Sequence, residues 1–249
     1  MPFITSQSFN RAERLLGSNV METLHSINVI IFGVGGVGSW CAESLVRTGV
    51  CHITLVDADI VARSNINRQA MATVSTVGLP KAEAMAQKLR DINPDAEITA
   101  IQGLYNSETA ASFNLDSYDY IIDAIDSLAD KALLILNATS TKRKFFSSMG
   151  AALKSDPTRI EVAEFWKVSG CPLAAALRRR FKKSGNMPRR KFKCVYSPEL
   201  LENKDVAEDT SGAMSFNKVA INGALCQVTA TFGLTLASLV VNDIFSRLK

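Results

Sequence analysis

The sequence predicts an α/β fold with a mostly parallel sheet flanked by helices, and three observations predict it. Short apolar runs of strand length recur at 28–32, 53–56, 120–123 and 145–148. Stretches with helical spacing stand between them, at 39–47, 81–92 and 131–139. The first run enters the glycine-rich string Gly33-Val34-Gly35-Gly36-Val37-Gly38, and the helix behind it returns to a second strand that ends at Asp57. Strand, tight turn, helix and strand form a βαβ unit, whose handedness builds a parallel, Rossmann-like sheet.

The remaining elements follow in order. Residues 59–71 are irregular and polar. Pro80 stands where a helix would start, which suits the fixed φ of proline at a first helical position. Residues 97–101 read as a further strand. After Gly150 the pattern loosens: 159–168 alternates like a strand with one exposed face, and 172–183 reads as a helix. Residues 199–212 read as a polar, flexible loop. A last helix is expected from about 217 to the C-terminus, with a bend near Gly233. The chain thus divides into a Rossmann-like domain over 1–150 and a smaller C-terminal portion over 151–249, packed on the first rather than independent of it.

Composition narrows the class. With 249 residues, 47% of them hydrophobic and 21% charged, the chain has ample apolar material for a large core and reads as soluble and globular. The opening MPFITSQSFNRAERLLG holds no apolar run before a small-residue cleavage site, which argues against a secretory signal. The five cysteines are scattered and never spaced C-x-x-C, which argues against a disulfide framework and a zinc ribbon and points to a reducing cytoplasm. Residues 219–241 are apolar enough to mimic a membrane span. Asn222, Gln227, Thr229, Thr231, Thr235 and Ser238 make them a buried or interface helix instead, with no membrane partner.

The net charge of +4 conceals an asymmetry. Arg178, Arg179, Arg180, Lys182, Lys183, Arg189, Arg190, Lys191 and Lys193 fall in one short segment without an acid, so the rest of the chain is net negative. A basic patch this local suggests a particular anionic partner, and nucleic-acid phosphates are the reading favoured over a solvated helix face. Phe181 and Phe192 interleave it and could stack on splayed bases or simply pack.

The residues that carry chemistry begin at Gly33, Gly35 and Gly38, which let the turn tighten, let a phosphate approach the backbone and let strand and helix pack closely. The helix N-terminus behind them offers free N–H groups to an anion. Asp57 closes the next strand, where an acid reaches a ribose hydroxyl. This motif alone does not choose the nucleotide. Arg68 offers a forked donor to phosphoryl oxygens, Lys81 follows at a helix start, and Asp126, past another strand, could hold a magnesium ion that bridges phosphates. Each alone is more often a surface charge, but these groups fall together at strand ends, the edge where α/β sheets take ligands.

These strings resemble the ThiF/MoeB/HesA superfamily, relatives of the ubiquitin-activating enzymes. The resemblance rests on the glycine string, on Asp57-Ala58-Asp59, Ser64-Asn65-Ile66-Asn67-Arg68-Gln69, Gly78-Leu79-Pro80-Lys81-Ala82-Glu83 and Asp123-Ala124-Ile125-Asp126-Ser127. It implies an adenylating enzyme that binds ATP and Mg²⁺ through Gly33, Gly35, Gly36, Gly38, Asp57, Asp59, Ser64, Asn65, Asn67, Arg68, Lys81, Asp126 and Ser127, with Asp126 as the metal ligand. Arg14 matches the family arginine that reaches the partner subunit's ATP, which implies a homodimer. Arg14, Arg68, Lys81 and Asp126 then form the catalytic set.

The C-terminal part resembles the tRNA threonylcarbamoyladenosine dehydratases through Pro172-Leu173-Ala174-Ala175-Ala176-Leu177-Arg178, Cys194-Val195-Tyr196-Ser197 and Val228-Thr229-Ala230-Thr231-Phe232-Gly233. That resemblance implies ATP-dependent cyclisation of a modified adenosine beside the tRNA anticodon, with the basic segment on tRNA. The alternative adenylates the C-terminal glycine of a ubiquitin-like sulfur carrier; the missing zinc-binding C-x-x-C pairs count against it. An NAD-dependent oxidoreductase and a non-catalytic nucleotide module are the other rivals. A monovalent cation, and a cysteine desulfurase or sulfur acceptor as partner, stay open. Cys171 and Cys194 have basic flanks and are candidate thiols, read more simply as buried. His25 and His52 have no constellation around them and read as structural.

Overall fold

The computed structural model describes residues 7–204 and 222–249. The expected loop beyond 204 and the expected helix start at 217 lie outside the described residues. Two short helices that the sequence pattern does not announce, α1 (Asn10–Leu16) and α2 (Ser18–Ser26), lead into β1 (Asn28–Phe32). Then come α3 (Gly38–Arg47), β2 (His52–Val56), α4 (Lys81–Ile92), β3 (Glu97–Ile101), β4 (Tyr120–Asp123), α5 (Leu128–Ser140) and β5 (Lys144–Ser148). The chain continues through β6 (Glu161–Glu164), α6 (Pro172–Ser184), β7 (Lys193–Tyr196) and α7 (Cys226–Leu248).

One seven-stranded sheet runs β3-β2-β1-β4-β5-β7-β6, parallel throughout except for β6, which pairs antiparallel with β7. The inner strands are apolar runs because helices cover both faces. In β1, Val29 and Ile31 join the core beneath α2, α3, α4 and α7, while Ile30 and Phe32 join the core beneath α5 and α6. The strand order reverses between β1 and β4, which opens a crevice beyond their C-terminal ends. Residues beyond 150 supply β6 and β7 to this same sheet and α7 to its helical layer.

Two expectations change. The alternating stretch 159–168 is a strand only over Glu161–Glu164. Pro157 opens a 3₁₀ turn before it, and after it the Glu164 carboxylate accepts the amide of Trp166 and turns the chain. Conversely, β7 was hidden because its apolar part, Cys194–Tyr196, is short and follows the basic run.

The last helix passes through Gly233 without interruption. Gly233 serves close packing: a Cβ there would overlap the Val37 carbonyl and approach the Cys41 amide to 2.8 Å. Helix α7 therefore lies directly on α3 and on the glycine-rich turn. It is, among the described residues, the one helix long and apolar enough to cross a membrane, but Val228, Phe232, Leu236, Val240 and Ile244 are buried within the protein. Its far end is fastened where Tyr120 donates to Asp243 at 2.7 Å and Lys144 pairs with Asp243 at 2.8 Å.

Candidate nucleotide-binding site

The glycine-rich turn leaves β1 with Gly33 at φ +88°, a conformation open to glycine but strained for other residues. A Cβ on Gly33 would come within 2.6 Å of the Ala124 carbonyl, and one on Gly38 would overlap the Gly33 carbonyl. The turn is thus pressed between its own helix and the β4–α5 connection. Ser39 ties it down: its hydroxyl donates to the Gly35 carbonyl at 2.7 Å and accepts the Ala70 amide at 3.1 Å. Gly36 abuts Thr229 of α7.

Asp57, at the end of β2, braces the turn. One carboxylate oxygen accepts the Val34 amide at 2.6 Å and the other accepts the Asp59 amide at 2.9 Å. Burial pushes the Asp57 carboxyl above its ordinary pKa, opposed by the Lys81 charge and by those two amides. Lys81 is buried at the start of α4, its ammonium 2.8 Å from Asp59.

The polar connection after β2 holds the remaining groups. Asn65 is buried and caps the turn, its side-chain oxygen accepting the Ala62 amide at 2.9 Å. The Arg68 guanidinium donates to the Ser64 carbonyl and the Asn67 side chain, each at 2.9 Å. Asn67 in turn donates to the Ala224 carbonyl, just ahead of α7. Burial draws the Arg68 pKa down and the Asp126 carboxylate raises it, so the two opposite charges lie within electrostatic reach of one another. Asp126 and Ser127 are exposed where α5 begins. Gln69, only 5% exposed and beside Gly35, has a side-chain oxygen without a hydrogen-bond partner among the described residues.

The structure therefore gathers Gly33, Gly35, Gly36, Gly38, Asp57, Asp59, Ser64, Asn65, Asn67, Arg68, Lys81, Asp126 and Ser127 along the C-terminal edge of β1, β2 and β4. Arg14 stands apart on α1, exposed, with its guanidinium on Asn10 at 3.2 Å. The sequence reading missed the floor of this site. Lys131 and Asp123 are both fully buried, 2.8 Å apart. Lys131 also donates to the Ile125 carbonyl at 2.9 Å, and Asp123 accepts the Ser147 hydroxyl at 2.6 Å and the Ile125 amide at 3.1 Å. The signal was there: Lys131 lies on the same helical stripe as Ile135 and Ala138.

The basic segment lies elsewhere. Helix α6 starts against Gly150, beyond the C-terminal end of β5, and descends to the other end of the sheet, where the Arg189 amide meets Thr139 at the end of α5. Two of its arginines are committed to backbone carbonyls. Arg178 bonds those of Phe165 and Val168, and Arg190 bonds those of Ala138, Thr139 and Arg143. Arg190 thereby bonds carbonyls at and just after the C-terminus of α5. Arg179, Arg180, Lys182, Lys183, Arg189, Lys191 and Lys193 remain exposed. Phe181 and Phe192 are 1% and 6% exposed and pack against Phe165, so they do not stack on bases. The candidate thiols are also inward: Cys171 and Cys194 are buried, and burial pushes the Cys194 thiol well up. The basic flanks of Cys194 face solvent, so they do not activate it.

A model of the ThiF family matches residues 9–244. This chain belongs to the ThiF family. Its similarity to the tRNA threonylcarbamoyladenosine dehydratase of Escherichia coli is 37% identity over 248 residues, covering 93% of this chain and 91% of the relative. The Bacillus subtilis protein of the same name is 42% identical over 177 residues, covering 71% and 70%. A solved structure of the E. coli tRNA N6-threonylcarbamoyladenosine dehydratase in complex with ATP superimposes with a TM-score of 0.84 at 35% identity, covering 97% of this chain and 95% of that one.

Proposed function

We propose that this protein uses ATP to dehydrate threonylcarbamoyladenosine next to the tRNA anticodon, closing it into a ring by adenylating its threonyl carboxylate. The observation that carries this reading is the gathering of the glycine-rich turn, Lys81, Arg68 and Asp126 around one crevice, in a chain that matches dehydratases along nearly its whole length. Adenylation of a sulfur-carrier glycine is the second reading. It draws nothing from the basic face, and the C-x-x-C pairs that usually accompany it are missing from the sequence.

The chain's own residues serve the chemistry as follows. Amides of the glycine-rich turn and the N-terminus of α3 face the phosphates. Asp57 takes the ribose with lone pairs not engaged by Val34 and Asp59, and the unpaired Gln69 oxygen offers one more acceptor beside the turn. Arg68 and Lys81 neutralise charge on the phosphates as it develops. Asp126 would hold magnesium: its carboxylate is exposed where α5 begins, and magnesium is commonly held by one or two carboxylates with phosphates and water. When bound, the ion would supply positive charge to the phosphates.

The threonyl carboxylate attacks the α-phosphorus and pyrophosphate leaves, giving an acyl-adenylate. A nitrogen or oxygen of the same modification then attacks the activated carbonyl, a proton is lost and AMP departs with the carboxylate oxygen. The second step is intramolecular, so proximity replaces a protein nucleophile, consistent with the buried thiols. Arg14 completes the neighbouring subunit's site in a two-fold homodimer, and the reaction belongs to the cytoplasm. Incubating protein, ATP, Mg²⁺ and threonylcarbamoyladenosine-containing tRNA tests the reading. AMP and pyrophosphate are expected; ADP would overturn it.

A further inference from the structure

The exposed basic face is set well away from the nucleotide crevice. Helix α6 has 13 residues and leads away from the edge where the crevice opens; at 1.5 Å per residue it descends about 20 Å. Lys182 and Lys183 stand in its last turn, and Arg189 and Lys191 lie on the connection that leads into β7. No carboxylate among the described residues pairs with Arg179, Arg180, Lys182, Lys183, Arg189 or Lys191, so their charge is available to a ligand.

What this face lacks is as informative as what it carries. Recognition of single-stranded bases uses aromatic platforms, and both aromatics within the segment are buried against Phe165. Two of the five arginines, Arg178 and Arg190, are bonded to carbonyls, while Arg179, Arg180 and Arg189 stand exposed, where their forks suit phosphate oxygens. Exposed cations without an aromatic platform are left, a set suited to phosphates.

We propose that this face takes the sugar–phosphate backbone of the base-paired stem of the RNA, about 20 Å from the reacting nucleotide, while the loop alone enters the crevice. The inference rests on the tRNA reading above. A loop nucleotide seated at the C-terminal edge of β1 and β4 leaves its stem to run along α5 and α6, past these cations. The face then supplies affinity and orientation, and the crevice supplies selectivity for the modified base.

The test uses two RNA hairpins with the same threonylcarbamoyladenosine-containing loop. One keeps the full stem; the other is cut back to its loop-closing pairs and held by a crosslink. Fluorescence anisotropy across a salt series gives affinity for wild type and for Lys182→Glu/Lys183→Glu/Lys191→Glu. Cutting the stem is expected to weaken wild type on the order of tenfold or more at low salt. It should also flatten the log–log salt slope by about two to three, close to one unit for each phosphate that the protein no longer neutralises. The variant should bind both hairpins alike. A melting curve with and without ATP establishes that the variant folds and loads nucleotide, and Lys→Gln replacements at the same positions provide a milder version. A wild type indifferent to stem length, or a variant weakened equally on both hairpins with the stem effect kept, overturns the inference. If wild type releases no AMP with full-length modified tRNA, the functional reading falls; if AMP appears and stem length has no effect, only the stem assignment falls.

Discussion

The Lys131 ammonium lies 2.8 Å from the Asp123 carboxylate, and solvent reaches neither side chain. Through Ile125, whose carbonyl bonds Lys131 and whose amide bonds Asp123, the pair holds the turn that presents Asp126. A buried ion pair is a poor source of net stability, because desolvation cancels much of the attraction, but removing one partner leaves an uncompensated charge. Lys131→Met should therefore cost about 3–5 kcal/mol. The double variant Lys131→Met/Asp123→Asn should recover a large part of that. Urea unfolding midpoints of the two variants decide it: equal losses would mean that the stranded carboxylate is not the cause.

Gly233 couples the last helix to the glycine-rich turn. Alanine favours helices over glycine by about 1 kcal/mol, so Gly233→Ala would stabilise an isolated helix. Here its Cβ meets the Val37 carbonyl, the Cys41 amide and Trp40, and overpacking of this kind costs about 1–3 kcal/mol. The net expectation is a lower melting temperature together with weaker ATP binding, since Val37 belongs to the turn. Calorimetric titration of ATP into the folded variant checks the second half; unchanged affinity would separate α7 from the site.

How legible all this was depended on where the signal sat. The parallel core could be read because both faces of β1 and β4 are covered, which forces unbroken apolar runs. The glycine-rich turn could be read because sterics admit only glycine at Gly33 and Gly38. Helices α1 and α2 escaped because α1 is short and has no buried residue. Strand β7 escaped because Lys191 and Lys193 mask a brief apolar run. Charge alone could not separate Arg190, which caps α5, from Lys191, which faces water, since both look the same in a basic string. Nor could it show His25 and His52 side by side, since they meet across two elements.

That meeting has a pH consequence. His25 Nδ1 lies 2.9 Å from Cys51 Sγ, and its ring is 6.2 Å from that of His52. Burial lowers the His25 pKa, His52 lowers it further, and Asp95 opposes them. An imidazole that titrates lower in the folded chain than in the unfolded one leaves stability intact above the unfolded value of about 6.5. It withdraws stability as pH falls below that value, because the unfolded chain then binds more protons. Urea unfolding between about pH 7.5 and about pH 5.5 should show this loss in wild type and a smaller one in His25→Gln. The same pH slope in both proteins would assign the effect to other groups.

Arg14 gives the sharpest test of subunit sharing. It sits exposed on α1. Arg68, in contrast, is half-buried in its own crevice, within electrostatic reach of Asp126. If each active site takes Arg68 and Asp126 from one subunit and Arg14 from the other, Arg14→Ala and Arg68→Ala homodimers should each lose on the order of 100-fold in the rate of AMP release, a typical loss for a group that stabilises transition-state charge. A hybrid dimer has one site carrying both lesions and one carrying neither. Mixing the two inactive proteins under conditions of subunit exchange should therefore restore up to about a quarter of wild-type activity, because half of the dimers are hybrids and each has one intact site. Arg68→Ala mixed with Asp126→Ala should restore nothing, since both groups belong to the same crevice and every hybrid site lacks one of them. Exchange is followed by native mass spectrometry of differently tagged subunits. Hybrids that form without activity would place Arg14 outside the neighbour's site, and rescue in the Arg68/Asp126 mixture would mean that those two groups come from different subunits.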